Sequence, residues 1–217
     1  MNTIKNSRQS GFTLIELIAV MVILGILAAV IIPAIGTLTS GAYESNVRSM
    51  YGVIKNEVSA QAMKAAMSGG SGGHRETYPV IDDGSADKAY LDKWIREYDT
   101  DMWTQTDANN AVSNTHKVGG AAATDLLIFT YAPHGVASTD VEDKYHIYYA
   151  AITTEYGKNN GYDNDGYVMW ATQDADQDGT ADARVTIAND GTFTVTANSE
   201  TVIEDLNFII NKDSDGI

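Results

Sequence analysis

The longest apolar stretch of the sequence lies near its N-terminus. No residue between Leu17 and Gly36 carries a charge, and a helix of that length rises about 30 Å, the thickness of the hydrocarbon core of a bilayer. The eleven residues MNTIKNSRQSG before it contain Lys5 and Arg8 and no acid. Because a basic flank stays on the cytoplasmic side, the pattern predicts a membrane-spanning helix with the acidic remainder of the chain outside.

A second helical pattern follows the apolar stretch directly. Apolar residues recur there every three or four positions, as on one face of an amphipathic helix: Tyr43, Val47, Met50, Tyr51, Ile54, Val58, Ala62 and Ala65. The glycine-rich segment SGGSGG begins at Ser68. Since glycine favours helix ends and breaks, we expect the helix to end near Ser68.

The remaining residues predict one short helix and several strands. The stretch DKAYLDKWIREY has helical spacing, WTQTDANNAVSNTHKVGGAAATD is typical of a loop, and the strand-like runs are LLIFTYA, KYHIYYAAITTEY, YVMWATQ, RVTIA and FTVTA. The turn sequence NDG between the last two runs favours a hairpin. The C-terminal TVIEDLNFIINKDSDGI is compatible with helix or strand. The pattern predicts an α+β chain, with a long N-terminal helix packed on a mostly antiparallel sheet.

Composition narrows the classes of partner and site. The net charge of −15 makes nucleic acid and anionic lipid poor partners for the globular part. The absence of cysteine excludes disulfides, thiolate metal sites and a cysteine nucleophile. No nucleophile, zinc or phosphate-loop motif is present, and the four histidines are scattered without metal-ligand spacing. These features predict a protein that is not an enzyme.

The segment GFTLIELIAVMVILGILAAVIIP resembles the N-terminus of type IV pilins and of the pseudopilins of type II secretion systems. The resemblance implies a pilin-like fold, cleavage by a prepilin peptidase between Gly11 and Phe12, and methylation of the new Phe12 amine. It divides the chain into a leader (1–11), a long helix (12–68) and a globular head (69–217). Within the helix, residues 12–36 would form the membrane or filament core and residues 37–68 the amphipathic half. The alternative is an ordinary signal peptide cut beyond the apolar run.

Glu16 is the single acid in this apolar segment. A charge within a span costs on the order of 3 kcal/mol and persists mainly where it finds a partner. The resemblance implies that Glu16 neutralises the Phe12 amine of a neighbouring subunit during assembly. The simpler interpretation is a glutamate that snorkels to the interface.

Gly25 and Pro33 are the residues of the apolar segment that weaken a helix. The resemblance implies a helix break there, with local unwinding in the assembled filament. A plain kinked span is the alternative.

The sequence DADQDGTAD contains the opening of a calcium-binding loop. Asp174, Asp176 and Asp178 precede a glycine, as in an EF-hand loop, with the Thr180 carbonyl and Asp182 at the next ligand positions. The twelfth position is Val185 instead of a bidentate glutamate, so the pattern is incomplete. Asp163 and Asp165 are candidates for the missing ligand. An acidic hairpin turn without metal is the alternative, while some pseudopilins bind calcium near a C-terminal loop.

Together these features predict a structural subunit of a type IV pilus-like filament with a calcium-stabilised head. Its expected partners are copies of itself, prepilin peptidase, the pilus or type II secretion machinery, and the bacterial inner membrane before assembly. The filament would be extracellular or periplasmic. The alternatives are a pseudopilin or minor pilin and, from another class, a membrane-tethered calcium-dependent binding module that never polymerises.

Overall fold

The computed structural model of the chain describes residues 12–69, 73–81, 89–114, 122–138, 144–174, 181, 184–187, 193–196 and 200–209. The chain divides into two compact units, Met1–Ala42 and Tyr43–Ile217. The first is helical where it is described, and the second contains all the strands among the described residues. The chain is therefore α+β, as predicted.

Helix α1 spans Leu14–Ser68. It ends where the glycine-rich segment begins, because Gly69 adopts a left-handed conformation with φ of 65° that suits glycine at a helix C-terminus. The ring of His74 lies over this end, with Nδ1 3.2 Å from the carbonyl oxygen of Ala66. The predicted end of the helix near Ser68 is confirmed.

The helix continues through Gly25 and Pro33 without ending at either residue. The break that the resemblance implies belongs to the assembled filament, so the continuous helix of the single chain does not test it. A proline removes one backbone hydrogen bond, and the bonds of the neighbouring turns hold the rest of the helix. Unwinding during assembly stays a prediction.

The amphipathic half of α1 buries the stripe that the sequence indicated. Its fully or nearly fully buried members are Val47, Met50, Tyr51, Ile54, Val58 and Ala62, and they belong to the same apolar cluster as one face of the sheet. The Tyr51 hydroxyl donates a hydrogen bond of 3.2 Å to the Met169 carbonyl. Apolar burial and this bond both fasten α1 to the sheet.

A short helix, α2, spans Ala89–Trp94, somewhat less than its sequence pattern suggested. Its side chains Leu91 and Trp94 are buried in the core. The Gln105 side chain accepts hydrogen bonds of 2.8 Å from the backbone N–H groups of Tyr90 and Leu91. Gln105 therefore acts as a cap from outside the helix and supplies an acceptor to backbone donors at its start.

In the part of the chain that the structure describes, the sheet has seven strands, in the order β6-β5-β1-β2-β3-β4-β7. The strands are β1 Trp103–Asn114, β2 Ala122–Tyr131, β3 Tyr145–Ile152, β4 Gly166–Asp174, β5 Arg184–Ile187, β6 Phe193–Thr196 and β7 Glu200–Ile209. All neighbours pair antiparallel except β1 and β5, which are parallel. The mostly antiparallel sheet and the β5–β6 hairpin are confirmed, although the hairpin's turn at Asn189–Gly191 lies outside the described residues.

The stretch from Trp103 to Asp125, expected to be a loop, instead contains β1 and the start of β2, so that prediction was wrong. The polar composition of this stretch obscures the alternation of buried and exposed residues that is typical of a strand. Trp103 and Gln105 are 2% exposed, whereas the next residue, Thr106, is exposed. Gln105 can be buried because its amide oxygen caps α2. The ambiguous C-terminal run is strand β7.

The sheet must curve strongly. β6 and β7 are opposite edge strands, which in a flat sheet of seven strands would lie about 29 Å apart. Only four residue steps join Thr196 to Glu200, and four extended residues reach about 14 Å at most. The register of β1 against β2 shifts between Ala108 and Val112, and such an irregularity allows a strand to bend.

Both faces of the central strands are buried. One face packs against α1 through residues such as Tyr149 and Met169. The opposite face carries Leu126, Ile128, Tyr148, Ala150, Val168 and Trp170, each at most 4% exposed. The central strands of the head are therefore packed on both faces.

Candidate functional site at the start of α1

The first half of α1 presents an exposed apolar surface. Leu14–Ile32 is a stretch of 19 residues with a mean hydropathy of 3.0, and none of it is buried within the chain. Its length and composition suit a membrane span. Exposed leucine, isoleucine and valine side chains cover all sides of the helix, so this surface requires an apolar environment that the chain itself does not supply.

Thr13 and Glu16 shape the first turn of this helix. One carboxylate oxygen of Glu16 accepts hydrogen bonds of 2.8 Å from both the backbone N–H and the hydroxyl of Thr13. The Glu16 backbone N–H donates in return to the Thr13 hydroxyl at 3.4 Å. This reciprocal arrangement is a capping box, in which a threonine and the glutamate three residues later satisfy donors that a helix start leaves unpaired.

The capping box was not anticipated, although T-x-x-E before an apolar run is its sequence signature. Because a charge in a membrane is costly, the sequence favoured an intermolecular partner for Glu16. Within the chain, Glu16 already has a hydrogen-bond partner in Thr13. The glutamate therefore both stabilises the helix start and carries the only charge of the apolar segment.

The predicted processing site lies at the edge of the described residues. Phe12 is 92% exposed and directly precedes the capping threonine, and Gly11 lies outside the described part of the chain. Glu16 follows Phe12 by about one helical turn. An amine created at Phe12 would thus lie close to the Glu16 carboxylate of the same chain, on an exposed residue.

The predicted calcium loop is described only at its first residue. Asp174 is the last residue of β4, is 1% exposed, and donates its backbone N–H to the Lys144 carbonyl at 2.9 Å. Asp176, Asp178, Thr180 and Asp182 lie outside the described residues. Within the part of the chain that is described, no three acidic or histidine side chains are grouped to hold a metal.

Glu200 is the carboxylate that the structure places beside Asp174. The two residues are direct partners in the β4–β7 ladder, so their side chains project from the same face. Glu200 is 8% exposed and accepts hydrogen bonds from the hydroxyls of Tyr148, at 2.6 Å, and Thr172. The sequence offered no signal for this pairing, because strand register was needed to find it.

Asp165 lies away from Asp174 and Glu200, while the roles of Asp163 and Asp165 as calcium ligands stay predictions because most of the loop lies outside the described residues. Asp165 precedes the first residue of β4 and Asp174 is its last, so about 30 Å of extended strand separates them. The buried Asp165 carboxylate instead accepts hydrogen bonds from the Thr154 backbone N–H, at 2.7 Å, and from the Thr154 hydroxyl.

These bonds organise a short helix, α3, that spans Glu155–Asn160. The Thr154 hydroxyl caps its start by accepting from the Gly157 N–H at 3.1 Å. Beside it, the Arg75 guanidinium packs against the rings of Tyr156 and Tyr162, at 4.7 and 4.1 Å from their centroids. Asp165 therefore has a structural role, and the segment after α1 is fastened to the α3 region by Arg75.

Comparison with known proteins identifies the N-terminal segment. Residues 6–32 match the family model of the prokaryotic N-terminal methylation motif. Neither the curated proteins nor the solved structures compared with the chain gave a match. The matched residues include the predicted cleavage and methylation positions Gly11 and Phe12, the capping box, and the exposed apolar helix. The N-terminal segment of this chain is a prepilin-type methylation motif of the kind found in type IV pilins and pseudopilins.

Proposed function

We propose that the mature chain is a structural subunit of a type IV pilus-like extracellular filament and polymerises through the first half of α1. The observation that carries the proposal is the wholly exposed apolar helix Leu14–Ile32 within the matched prokaryotic methylation motif. Such a surface is covered by lipid while the subunit is in the inner membrane. In a filament the same surface is covered by the helices of other subunits.

The Glu16 carboxylate favours the transfer of the helix from lipid into the filament. A carboxylate in a membrane costs on the order of 3 kcal/mol, and the bonds from Thr13 satisfy only part of its capacity to accept hydrogen bonds. Cleavage before Phe12 creates a positively charged amine about one helical turn from Glu16. Pairing Glu16 of an incoming subunit with the Phe12 amine of a subunit already in place neutralises both charges inside the apolar core.

The test is the intact mass of the chain in two cell fractions, sheared surface material and membranes. The proposal expects a chain that begins at methylated Phe12 in sheared filaments. The same processed chain found only in membranes would contradict a major pilin and favour a pseudopilin or minor pilin. An unprocessed chain that starts at Met1 in both fractions would overturn the assignment to a prepilin and favour the tethered binding module.

We further propose that calcium stabilises the head through the loop Asp174, Asp176, Asp178, Thr180 and Asp182. Asp174 supports this proposal because it is buried beside a second buried acid, Glu200. Adjacent carboxylates in a low-dielectric environment repel unless a cation or proton relieves them. Oxygen ligands of this type are those that calcium prefers.

The calcium proposal is tested by thermal unfolding of the full chain in detergent, with calcium or magnesium added. A ligand at 100 times its dissociation constant stabilises the folded state by about 2.7 kcal/mol. We expect such an effect from calcium, its loss in the double variant Asp176→Asn/Asp178→Asn, and its retention in the control variant Glu97→Gln, which changes an exposed acid of the head outside the proposed loop. An equal response to calcium in the double variant and the parent chain would refute the loop as the site.

A further inference from the structure

The C-terminal end of α3 joins an exposed asparagine to a glycine. Asn160 is the last residue of the helix, and Gly161 follows it in the left-handed conformation, with φ of 75° and ψ of 30°. In an Asn–Gly pair, the glycine nitrogen is not shielded by a side chain, so it can attack the asparagine amide more readily than any other following residue. This pair is the sole Asn–Gly dipeptide of the whole sequence.

We propose that Asn160 is a site of spontaneous deamidation whose rate is controlled by the opening of α3. In the reaction, the backbone nitrogen of Gly161 forms a bond to Cγ of Asn160, and the side-chain amide nitrogen leaves as ammonia. Solvent water then opens the cyclic imide to aspartate or isoaspartate. No oxidant, enzyme or cofactor is required, and the product carries one additional negative charge.

The folded helix restrains each reacting group. The Asn160 side-chain amide donates a hydrogen bond of 2.9 Å to the Tyr156 carbonyl. The Gly161 N–H is directed to the Gly157 carbonyl, which also accepts from the Tyr162 N–H at 2.8 Å. The attacking nitrogen and the amide it must reach are therefore both held by other partners, and reaction requires the last turn of α3 to open.

The opening of α3 depends on a small number of contacts. The helix has six residues, too few to be stable on its own, and it is held by the Thr154 cap, the Asp165 carboxylate and the Arg75 contacts. Short elements held in this way open locally without global unfolding. A new carboxylate at residue 160 would lie at the negative end of the helix dipole, so the modification would favour further opening.

The experiment follows deamidation in the full chain in detergent at mildly alkaline pH, by peptide mass spectrometry. Asn159 and Asn164 lie in the same region and are not followed by glycine, so they serve as internal controls. We expect Asn160 to convert at least tenfold faster in urea than in the folded chain. The variant Thr154→Val, which removes the cap, should give an intermediate rate, while Thr154→Ser should resemble the parent chain.

Two results would overturn the proposal, and they concern different parts of it. Conversion of Asn160 in urea no faster than that of Asn164 would show that the Asn–Gly pair is not especially reactive. Equal rates at Asn160 in the folded chain and in urea would show that α3 does not control the reaction. Circular dichroism of each variant would identify one that has unfolded globally, and Thr154→Ser then supplies the comparison with the parent chain.

Discussion

The Thr13 backbone N–H and hydroxyl both donate to the same carboxylate oxygen of Glu16, each at 2.8 Å. Glu16 therefore has two separable properties, the ability to accept hydrogen bonds at the helix start and a negative charge. Only the charge can neutralise an amine on another subunit. Because glutamine also closes a capping box, substitution can remove the charge and keep the cap.

Glu16→Gln is expected to leave α1 helical and to abolish filament assembly. The cap is retained, whereas the charge partner of the Phe12 amine is lost. Electron microscopy and quantification of sheared filaments measure assembly, and membrane extracts measure the amount of processed subunit. The matched control is Glu57→Gln, which changes a glutamate on the same helix outside the apolar segment. Normal filaments from Glu16→Gln would contradict a role for the charge in assembly.

Thr13→Val tests the cap with the charge in place. Loss of a capping side chain costs about 1 kcal/mol of helix stability, so we expect more fraying of the first turn and filaments that still form in reduced amount. Amide hydrogen exchange at the first residues of α1 measures the fraying. Exchange as slow as in the parent chain would contradict the capping box, whatever the filament yield.

Gln105→Ala is expected to destabilise the head by about 2 kcal/mol, since it removes the acceptor that Gln105 supplies to the buried N–H groups of Tyr90 and Leu91. Urea unfolding of the full chain in detergent measures the loss. The neighbouring exposed residue provides the control, and Thr106→Ala should change the free energy of unfolding by less than about 0.5 kcal/mol. Equal effects of the two substitutions would show that Gln105 does not cap α2.

Gly157→Ala is expected to disrupt α3 more severely than Thr154→Val. A Cβ at residue 157 would lie 2.6 Å from the Tyr162 carbonyl oxygen and would also collide with the Asp165 carboxylate. Thr154→Val removes a cap and one donor to Asp165, at a cost of about 1–3 kcal/mol. Thermal unfolding ranks the two variants. A Gly157→Ala variant as stable as the parent chain would contradict the close packing described for α3.

Alkaline pH is expected to unfold the head. Burial raises the pKa values of several tyrosines, namely Tyr51, Tyr78, Tyr131, Tyr149 and Tyr167. For Tyr98, desolvation and its hydrogen bond to Asp92 raise the pKa to about 12. In the unfolded chain a tyrosine ionises near pH 10. The folded state binds these protons more tightly, so stability is complete below about pH 10 and falls as pH rises above it.

The measurement for this prediction is tyrosinate absorbance recorded together with circular dichroism. We expect the buried tyrosines to ionise only as the circular dichroism signal of the head is lost. If all twelve tyrosines ionised near pH 10 while that signal stayed native, the burial of their hydroxyls would be contradicted.

Much of the fold was predictable because its signals are local. The apolar run, the stripe from Val47 to Ala62 and the glycine break after Ser68 each lie in one continuous segment. The strands rich in valine, isoleucine and tyrosine were found in the same way. Strand β1 was missed, because its buried Gln105 has a partner in a helix elsewhere in the sequence, and no local pattern indicates such a partner.

The sequence alone determined the methylation motif, the exposed apolar helix and the position of Glu16 within it, because residue type and spacing along one segment define each of these features. Only the tertiary structure showed that Asp165 belongs to the Thr154 cap and that Glu200 lies beside Asp174. Those relationships depend on strand length and register. The physical reason is that the pairing of strands brings distant residues together, while a nine-residue strand keeps Asp165 and Asp174 apart even though they are close in sequence.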